Sequence, residues 1–166
     1  MKRKEIVFLL EEESTKVMLE GVLPKLLTVS IPVRYITFDG KQDLEKHIIK
    51  KLRGYINPDA IFIILRDQDD SDCIQVKKKL MQKCIEANRP NAVVRIVCKE
   101  LESWYLADLK AVEKAYLKNG ISELQNKKKF RCPDSLSKPS NELQKIVPEY
   151  QKVNGSRRIA KFMDID

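Results

Sequence analysis

One histidine in 166 residues, His47, leaves little room for imidazole chemistry. A Ser-His-Asp hydrolase would have to use it, yet it falls on a predicted helix far from any strand end. A zinc site of the Cys/His kind needs four clustered soft ligands. The four cysteines (Cys73, Cys84, Cys98, Cys132) are scattered and form no CxxC pair. They read as reduced, mostly buried thiols, and a chain of this length needs no disulfide framework. Glycine is scarce, with five residues, and none belongs to a Walker or dinucleotide loop, so direct nucleotide hydrolysis is not expected. No apolar run approaches the roughly 20 residues that cross a bilayer. The basic start MKRK leads into a short apolar run and then Glu11–Glu13, where a signal peptide would need a small-residue cleavage site. A cytoplasmic protein without a membrane partner is expected.

What is present describes a folded globule: 43% hydrophobic and 34% charged residues, enough to bury a core of ordinary size. The formal net charge is +8. Between Lys114 and Lys161 stand twelve basic residues and four acids, so this segment accounts for the whole excess. The remainder is neutral in sum but carries acidic clusters at Glu11–Glu13 and Asp67–Asp72. A basic arm beside an acidic pocket suits an enzyme acting on a polyphosphate: cations hold the backbone and carboxylates hold a metal. A solvated basic face with no ligand is the plain alternative.

Two hydrophobic periods alternate along the first hundred residues. Strands are expected at Glu5–Leu10, Val33–Phe38, Ala60–Arg66 and Ala92–Cys98. Helices are expected at Thr15–Leu27 (capped by Ser14), Asp43–Tyr55, Ser71–Ala87 and Lys99–Tyr116. The order β-α-β-α-β-α-β-α implies a mainly parallel four-stranded sheet covered on both faces, a three-layer α/β/α arrangement. Beyond Gly120, Pro133, Pro139 and Pro148 break the pattern, leaving short helices near Ser140–Ile146 and Ile159–Met163. The chain divides, on this reading, into an α/β core over 1–118 and a basic, Pro-interrupted, helical extension over 119–166 packed on it.

Ligands of open α/β sheets bind at the carboxyl ends of the strands. Three strands here end in acids: the first in Glu11-Glu12-Glu13, the third in Asp67-Gln68-Asp69-Asp70, the fourth near Glu100 and Glu102. So many carboxylates repel unless a cation sits among them, and hard oxygen ligands suit magnesium or manganese. Each cluster alone is weak, because acids also cap helices; Asp70 or Ser71 is the expected cap of the third helix. A calcium loop from Asp67 would need glycine at Asp72 and glutamate at Lys78, and has neither. A haloacid-dehalogenase-type phosphatase places its DxD after the first core strand, not the third. Lys41 and Gln42 follow the second strand and fall at the same sheet edge, so a substrate contact is expected there. Phe130, set among Lys127, Lys128, Lys129 and Arg131, is a candidate stacking platform for a base, with simple packing as the alternative. Trp104 and Tyr105 read as core.

A glutamate closing the first strand and a DxD closing a later one resemble the Toprim domain, shared by type IA topoisomerases, DnaG-type primases and OLD-family nucleases. FLLEEES, GKQDLEK (Gly40–Lys46), LRDQDDSDC (Leu65–Cys73), RIVCKELESWYLAD (Arg95–Asp108), KFRCPD and VPEYQKVNGSR (Val147–Arg157) further resemble the bacterial domain-of-unknown-function 4276 family over nearly the whole chain. The Toprim resemblance implies Mg²⁺ held by Glu11, Asp67 and Asp69, with Glu12 a second acid. Many Toprim sequences have glycine where Glu12 stands, and topoisomerases extend DxD to DxDxE where Ser71 stands. A third ligand must then come from elsewhere, and Glu100 and Glu102 are the candidates. Lys152 is a candidate cation for the transition-state phosphate. Nucleic-acid contacts are expected from Lys41, Lys127, Lys128, Lys129, Phe130, Arg131, Arg157 and Arg158. The reading is a Mg²⁺- or Mn²⁺-dependent nuclease on DNA or RNA. It resembles small Toprim-like effectors partnered by an ABC- or SMC-like ATPase in anti-phage defence. The alternatives are a non-catalytic module that recruits nucleic acid or bridges an ATPase, and a phosphatase acting on a small substrate.

Overall fold

A computed structural model describes residues 4–165. Two compact units divide the chain. The first joins the segment ending at Glu13 to Val29–Val97; the second joins Ser14–Thr28 to the segment from Cys98 onward. The boundary expected after residue 118 falls inside the second unit.

The first unit is a sheet of four parallel strands, β1 (Glu5–Leu10), β2 (Val33–Thr37), β3 (Ala60–Asp67) and β4 (Val93–Val97), in the order β2-β1-β3-β4. From Ile6 to Leu10 strand β1 is apolar because both of its faces are buried: Val7 and Leu9 on one, Phe8 and Leu10 on the other, none more than 5% exposed. Helices α2 (Lys41–Arg53) and α3 (Cys73–Glu86) pack on the Val7/Leu9 face. Leu44, Ile48 and Leu52 of α2 and Val76, Leu80 and Cys84 of α3 join Phe62, Ile64 and Val94 in one core. The 3.6-residue spacing of those side chains is what makes each helix amphipathic.

Helix starts differ from those expected: α2 begins at Lys41 and not Asp43, and the caps of α3 and α1 also change. Helix α3 is capped not by Asp70 or Ser71 but by Asp72, whose side chain accepts the Gln75 N–H at 2.9 Å. The reason lies upstream: Asp69 takes a left-handed conformation (φ 53°) and Ser71 N–H closes a turn onto the Gln68 carbonyl, so 68–71 cannot yet be helical. Helix α1 runs Glu13–Leu26, which puts Ser14, the expected cap, inside the helix and buried.

The second unit is helical. Alongside most of α1 it contains α4 (Glu102–Ala107), α5 (Leu109–Tyr116), α6 (Pro139–Ile146) and α7 (Lys152–Ala160), with three 3₁₀ turns at Ser122–Asn126, Lys128–Phe130 and Pro133–Ser135. The single helix expected over Lys99–Tyr116 is therefore two. Asp108 leaves helical geometry (φ −129°, ψ 69°), ends α4, and caps α5 by accepting the Ala111 N–H at 3.0 Å. Helix α7 starts seven residues before the expected Ile159, because its buried stripe is Gly155, Ser156, Ile159 and Ala160, mostly too small to register as hydrophobic periodicity.

All four cysteines are free. Cys84 is buried, which pushes its thiol up to about 11, but Cys132 is exposed, against the expectation of mostly buried thiols. Among the described residues no helix is long and apolar enough to cross a membrane.

Candidate active site at the carboxyl edge of the sheet

Strand order reverses direction between β1 and β3: from β1 the chain goes out to β2, then returns to β3 on the other side. That switch point is where open α/β sheets bind ligands. The β1–β3 register pairs Leu10 with Leu65, so one step on Glu11 falls opposite Arg66, one residue short of Asp67. Glu11 is 8% exposed, and its Oε2 accepts the Asp67 N–H at 3.1 Å. Burial, and then the charge of Asp69, push the Glu11 carboxyl above the ordinary range, against the pull of the Asp67 N–H and Arg66.

Strand β2 contributes through its continuation. Phe38 N–H reaches the Leu10 carbonyl and Gly40 N–H the Glu11 carbonyl, both at 3.0 Å, extending the pairing past Thr37. Gly40 has φ 89°, open to glycine and strained for a side chain, and it turns the backbone into α2. The first residue of α2 is Lys41, and its Nζ donates to Asp69 Oδ2 at 2.8 Å. Asp69, and Glu11 behind it, hold the Lys41 ammonium firmly protonated. Glu12 and Glu13 line an open cavity of about 450 Å³ with Asp39 and Gly40.

Below Glu11 lies a cation that sequence reasoning passed over. Arg66 is 4% exposed; its Nη1 pairs with Glu45 of α2 at 3.1 Å, and Glu45 also pairs with Lys79 of α3. Its Nε stands 3.9 Å from Glu11 Oε2 and has no hydrogen-bond partner among the described residues. The signal was available: Arg66 is the lone charge in the run AIFIILR, and a buried arginine needs carboxylates nearby.

The donor set at this edge, Glu11, Asp67 and Asp69, is hard oxygen, the chemistry that suits Mg²⁺ or Mn²⁺. Among the described residues, however, no group of three or more His, Cys, Asp and Glu is arranged to hold a metal ion. The cation beside Asp69 is an ammonium of the chain itself.

The other expected site residues lie in the second unit. Glu100 Oε2 accepts the Ser140 N–H at 2.7 Å. Glu102 is 1% exposed and its Oε1 accepts the Tyr150 hydroxyl at 2.8 Å, while Oε2 has no hydrogen-bond partner among the described residues. Burial pushes the Glu102 carboxyl up; the Tyr150 hydroxyl and the Lys152 charge pull it back. Tyr105 donates to Ser156 Oγ at 2.7 Å, so the KELESWY and YQKVNGSR segments share a buried polar network. Lys152 itself is exposed at the start of α7.

Of the residues expected to meet nucleic acid, Lys127, Lys128, Arg131 and Arg157 are exposed. Lys129 is ion-paired with Glu142. Phe130 is 6% exposed and packs into the unit, so it offers no open ring for a base; simple packing is the reading that holds. Arg158 donates from Nε and Nη2 to the Ala115 carbonyl (3.1 and 2.8 Å) and stacks on Tyr116, which gives it a structural role. His47 pairs with Asp43 at 2.6 Å, one turn away on α2.

No curated protein matches the chain. Among solved structures, its fold is similar to the C-terminal region of the Burkholderia pseudomallei OLD protein, with a TM-score of 0.57 and 14% identity over 95% of this chain and 87% of that one. That likeness and the parallel sheet agree with a Toprim-like α/β fold. A family profile covers residues 10–166, and the chain belongs to the family described as Domain of unknown function (DUF4276).

Proposed function

We propose that this protein is a Toprim-like phosphodiesterase that cleaves DNA or RNA with Mg²⁺ or Mn²⁺. The observation that carries the proposal is the meeting of Glu11 with the Asp67–Asp69 segment at the switch point of the sheet. Glu11, Asp67 and Asp69 would hold the ion, with Glu12 nearby as a further acid. When bound, the ion supplies polarisation of a phosphoryl oxygen and activation of water. The chain's own contributions are distinct. Burial holds the Glu11 carboxyl above the ordinary range, Arg66 stands beside it as a buried cation, and Lys41 offers a cation to phosphate. Lys127, Lys128, Arg131 and Arg157, all exposed in the second unit, would grip the nucleic-acid backbone, with Lys152 a further cation for phosphate there. The metal reading rests on Glu11, Asp67 and Asp69 alone, since Glu100 and Glu102 are engaged in the second unit. By its resemblance to ATPase-linked Toprim effectors, the chain would act with an ABC- or SMC-like ATPase in anti-phage defence.

A second reading, a non-catalytic subunit that binds nucleic acid or an ATPase, is favoured by one observation: Asp69 is paired with Lys41 instead of grouped with further acids. Mn²⁺- and Mg²⁺-dependent cleavage of plasmid and total RNA separates the two. The enzyme reading expects cleavage lost in the Asp67→Ala/Asp69→Ala variant, and cleavage surviving that substitution rejects the site. Salt-sensitive binding without cleavage supports the second reading.

A further inference from the structure

We infer that the cavity between strand β2 and helix α2 is a second binding site, one that takes a nucleoside monophosphate. None of Glu11, Asp67 and Asp69 lines it, and it needs neither a metal ion nor cleavage.

Strand β2 is the outer strand of the sheet, and α2 packs on the Val7/Leu9 face, so a flank of the core is left open beside them. The opening is a cavity of about 550 Å³, within the roughly 300–1,000 Å³ typical of small-ligand clefts. Every residue around it belongs to the first unit. One wall is apolar: Ile36 and Tyr55 are half-buried and Phe38 is 6% exposed, all packed against the core. The other wall is cationic. Lys50 and Lys51 follow His47 by three and four residues, which puts all three on one face of α2, apart from the buried Leu44/Ile48/Leu52 stripe.

Charge decides what this cavity accepts. Asp43 also lines it, but its carboxylate is already met by the Asp39 N–H at 3.1 Å and by His47 Nδ1 at 2.6 Å. The Asp39 N–H, and after it His47, hold that carboxyl below the usual carboxylate range. Of the other cations on α2, Lys41 pairs with Asp69 and Arg53 donates to the Glu86 carbonyl. Lys50 and Lys51 are exposed, and among the described residues neither stands in an ion pair. Two uncommitted ammonium groups match one phosphomonoester, which carries about −1.5 to −2 at neutral pH. The apolar wall beside them suits a flat, poorly hydrated body, and a nucleotide joins such a body to a phosphate. A sugar phosphate would leave that wall wet, and a free nucleoside would leave the lysines unused. The nucleotide is either free or the phosphorylated end of a strand. Thr37 and Phe38 border both this cavity and the one lined by Glu12 and Glu13, so a strand end held here lies next to the acids.

The experiment uses the full chain in EDTA, with AMP, adenosine and inorganic phosphate as calorimetric probes. AMP is expected to bind with Kd of about 1 mM or tighter, and at least about threefold more tightly than adenosine or phosphate. Lys50→Met and Lys51→Met are each expected to weaken AMP about threefold or more. Lys46→Met removes an equal charge from an exposed position on the same helix outside the cavity, and should stay within about 1.5-fold. Anisotropy with one labelled oligonucleotide, phosphorylated or not at its 5′ end, separates the two sources. A preference for the phosphorylated form that disappears in Lys50→Met assigns the site to a strand end; AMP binding without that preference assigns it to a free nucleotide. No saturation with AMP overturns the inference and leaves both lysines as complements to the carboxyl end of the α2 dipole. Phosphate or adenosine binding as tightly as AMP overturns it, and so does an equal loss in all three lysine variants, as a general charge effect. None of these failures touches the cleavage reading, because Glu11, Asp67, Asp69 and Lys41 lie outside this cavity.

Discussion

A methyl group on Gly155 would stand 2.3 and 2.4 Å from two ring carbons of Tyr150 and 3.0 Å from the Tyr116 hydroxyl. Helix propensity alone favours alanine over glycine there by about 1 kcal/mol. Packing opposes it, since overfilling a well-packed site costs about 1–3 kcal/mol and the obstacle is an aromatic ring, not a flexible tip. Packing should win: Gly155→Ala is expected to lower the urea midpoint, and an unchanged or raised midpoint would show that the Tyr150 ring can move aside. The residue beneath that ring's hydroxyl has a pH signature. Glu102 has its carboxyl raised by burial, so the folded state binds its proton more tightly than the unfolded one. The associated stability is full below the unfolded value near 4.5 and is lost as pH rises through the raised folded value. Glu102→Gln keeps an acceptor for Tyr150 and cannot ionise. The variant should gain on the unsubstituted chain as pH climbs from about 4.5 toward neutrality; a constant difference across chemical denaturation curves at pH 4, 5, 6 and 7 would exclude this.

At the scale of elements, the strands were legible nearly to the residue. Apolar runs such as Ile6–Leu10 fit strands buried on both sides, and turn signals at Asp39-Gly40, Asn57-Pro58-Asp59 and Asn88-Arg89-Pro90 separate the later ones. Helix ends were less legible, because they depend on how the preceding loop turns. Four polar residues, Asp69 to Asp72, could each cap α3 by composition, and the left-handed Asp69 decides for the last. Asp72→Ala should therefore destabilise the fold by about 1 kcal/mol, while Asp70→Ala and Ser71→Ala stay within about 0.5 kcal/mol. Thermal or urea denaturation of the three variants reads this directly, and a larger loss at Asp70 or Ser71 would restore the composition-based cap. The division of α4 from α5 has the same origin. Asp108 is a good cap in mid-run, and its other oxygen accepts the Asp164 N–H at 2.8 Å, a contact 56 residues away that no local pattern announces.

For the whole molecule, the meeting of Glu11 with Asp67 was legible because parallel sheets collect strand ends on one edge. The pairing of Lys41 with Asp69 and the depth of Arg66 were not, since both depend on register and on one turn. Charge shows the same split. The excess of +8 over Lys114–Lys161 is visible as composition, but composition does not say which cations are already engaged. Lys118 pairs with Glu149, Lys129 and Lys145 share Glu142, and Arg158 is fixed on Ala115 and Tyr116. A nucleic acid should draw mainly on cations whose release from water, not from a carboxylate, accompanies binding. Each lysine that neutralises a phosphate adds roughly 0.7–0.9 to the slope of log K against log salt. Lys127→Ala and Lys128→Ala should each lower that slope by about that amount, with fold stability unchanged because both side chains are exposed. Lys129→Ala should lower it less, because the lysine must first leave Glu142. Phe130→Ala should act elsewhere, losing about 3–5 kcal/mol of stability through its cavity. Anisotropy titrations from 50 to 200 mM salt, run beside urea denaturation, separate these outcomes. Equal slopes for all three lysine variants would mean that the Glu142 pair imposes no cost on binding, and that the 127–131 run meets the backbone as an undivided patch.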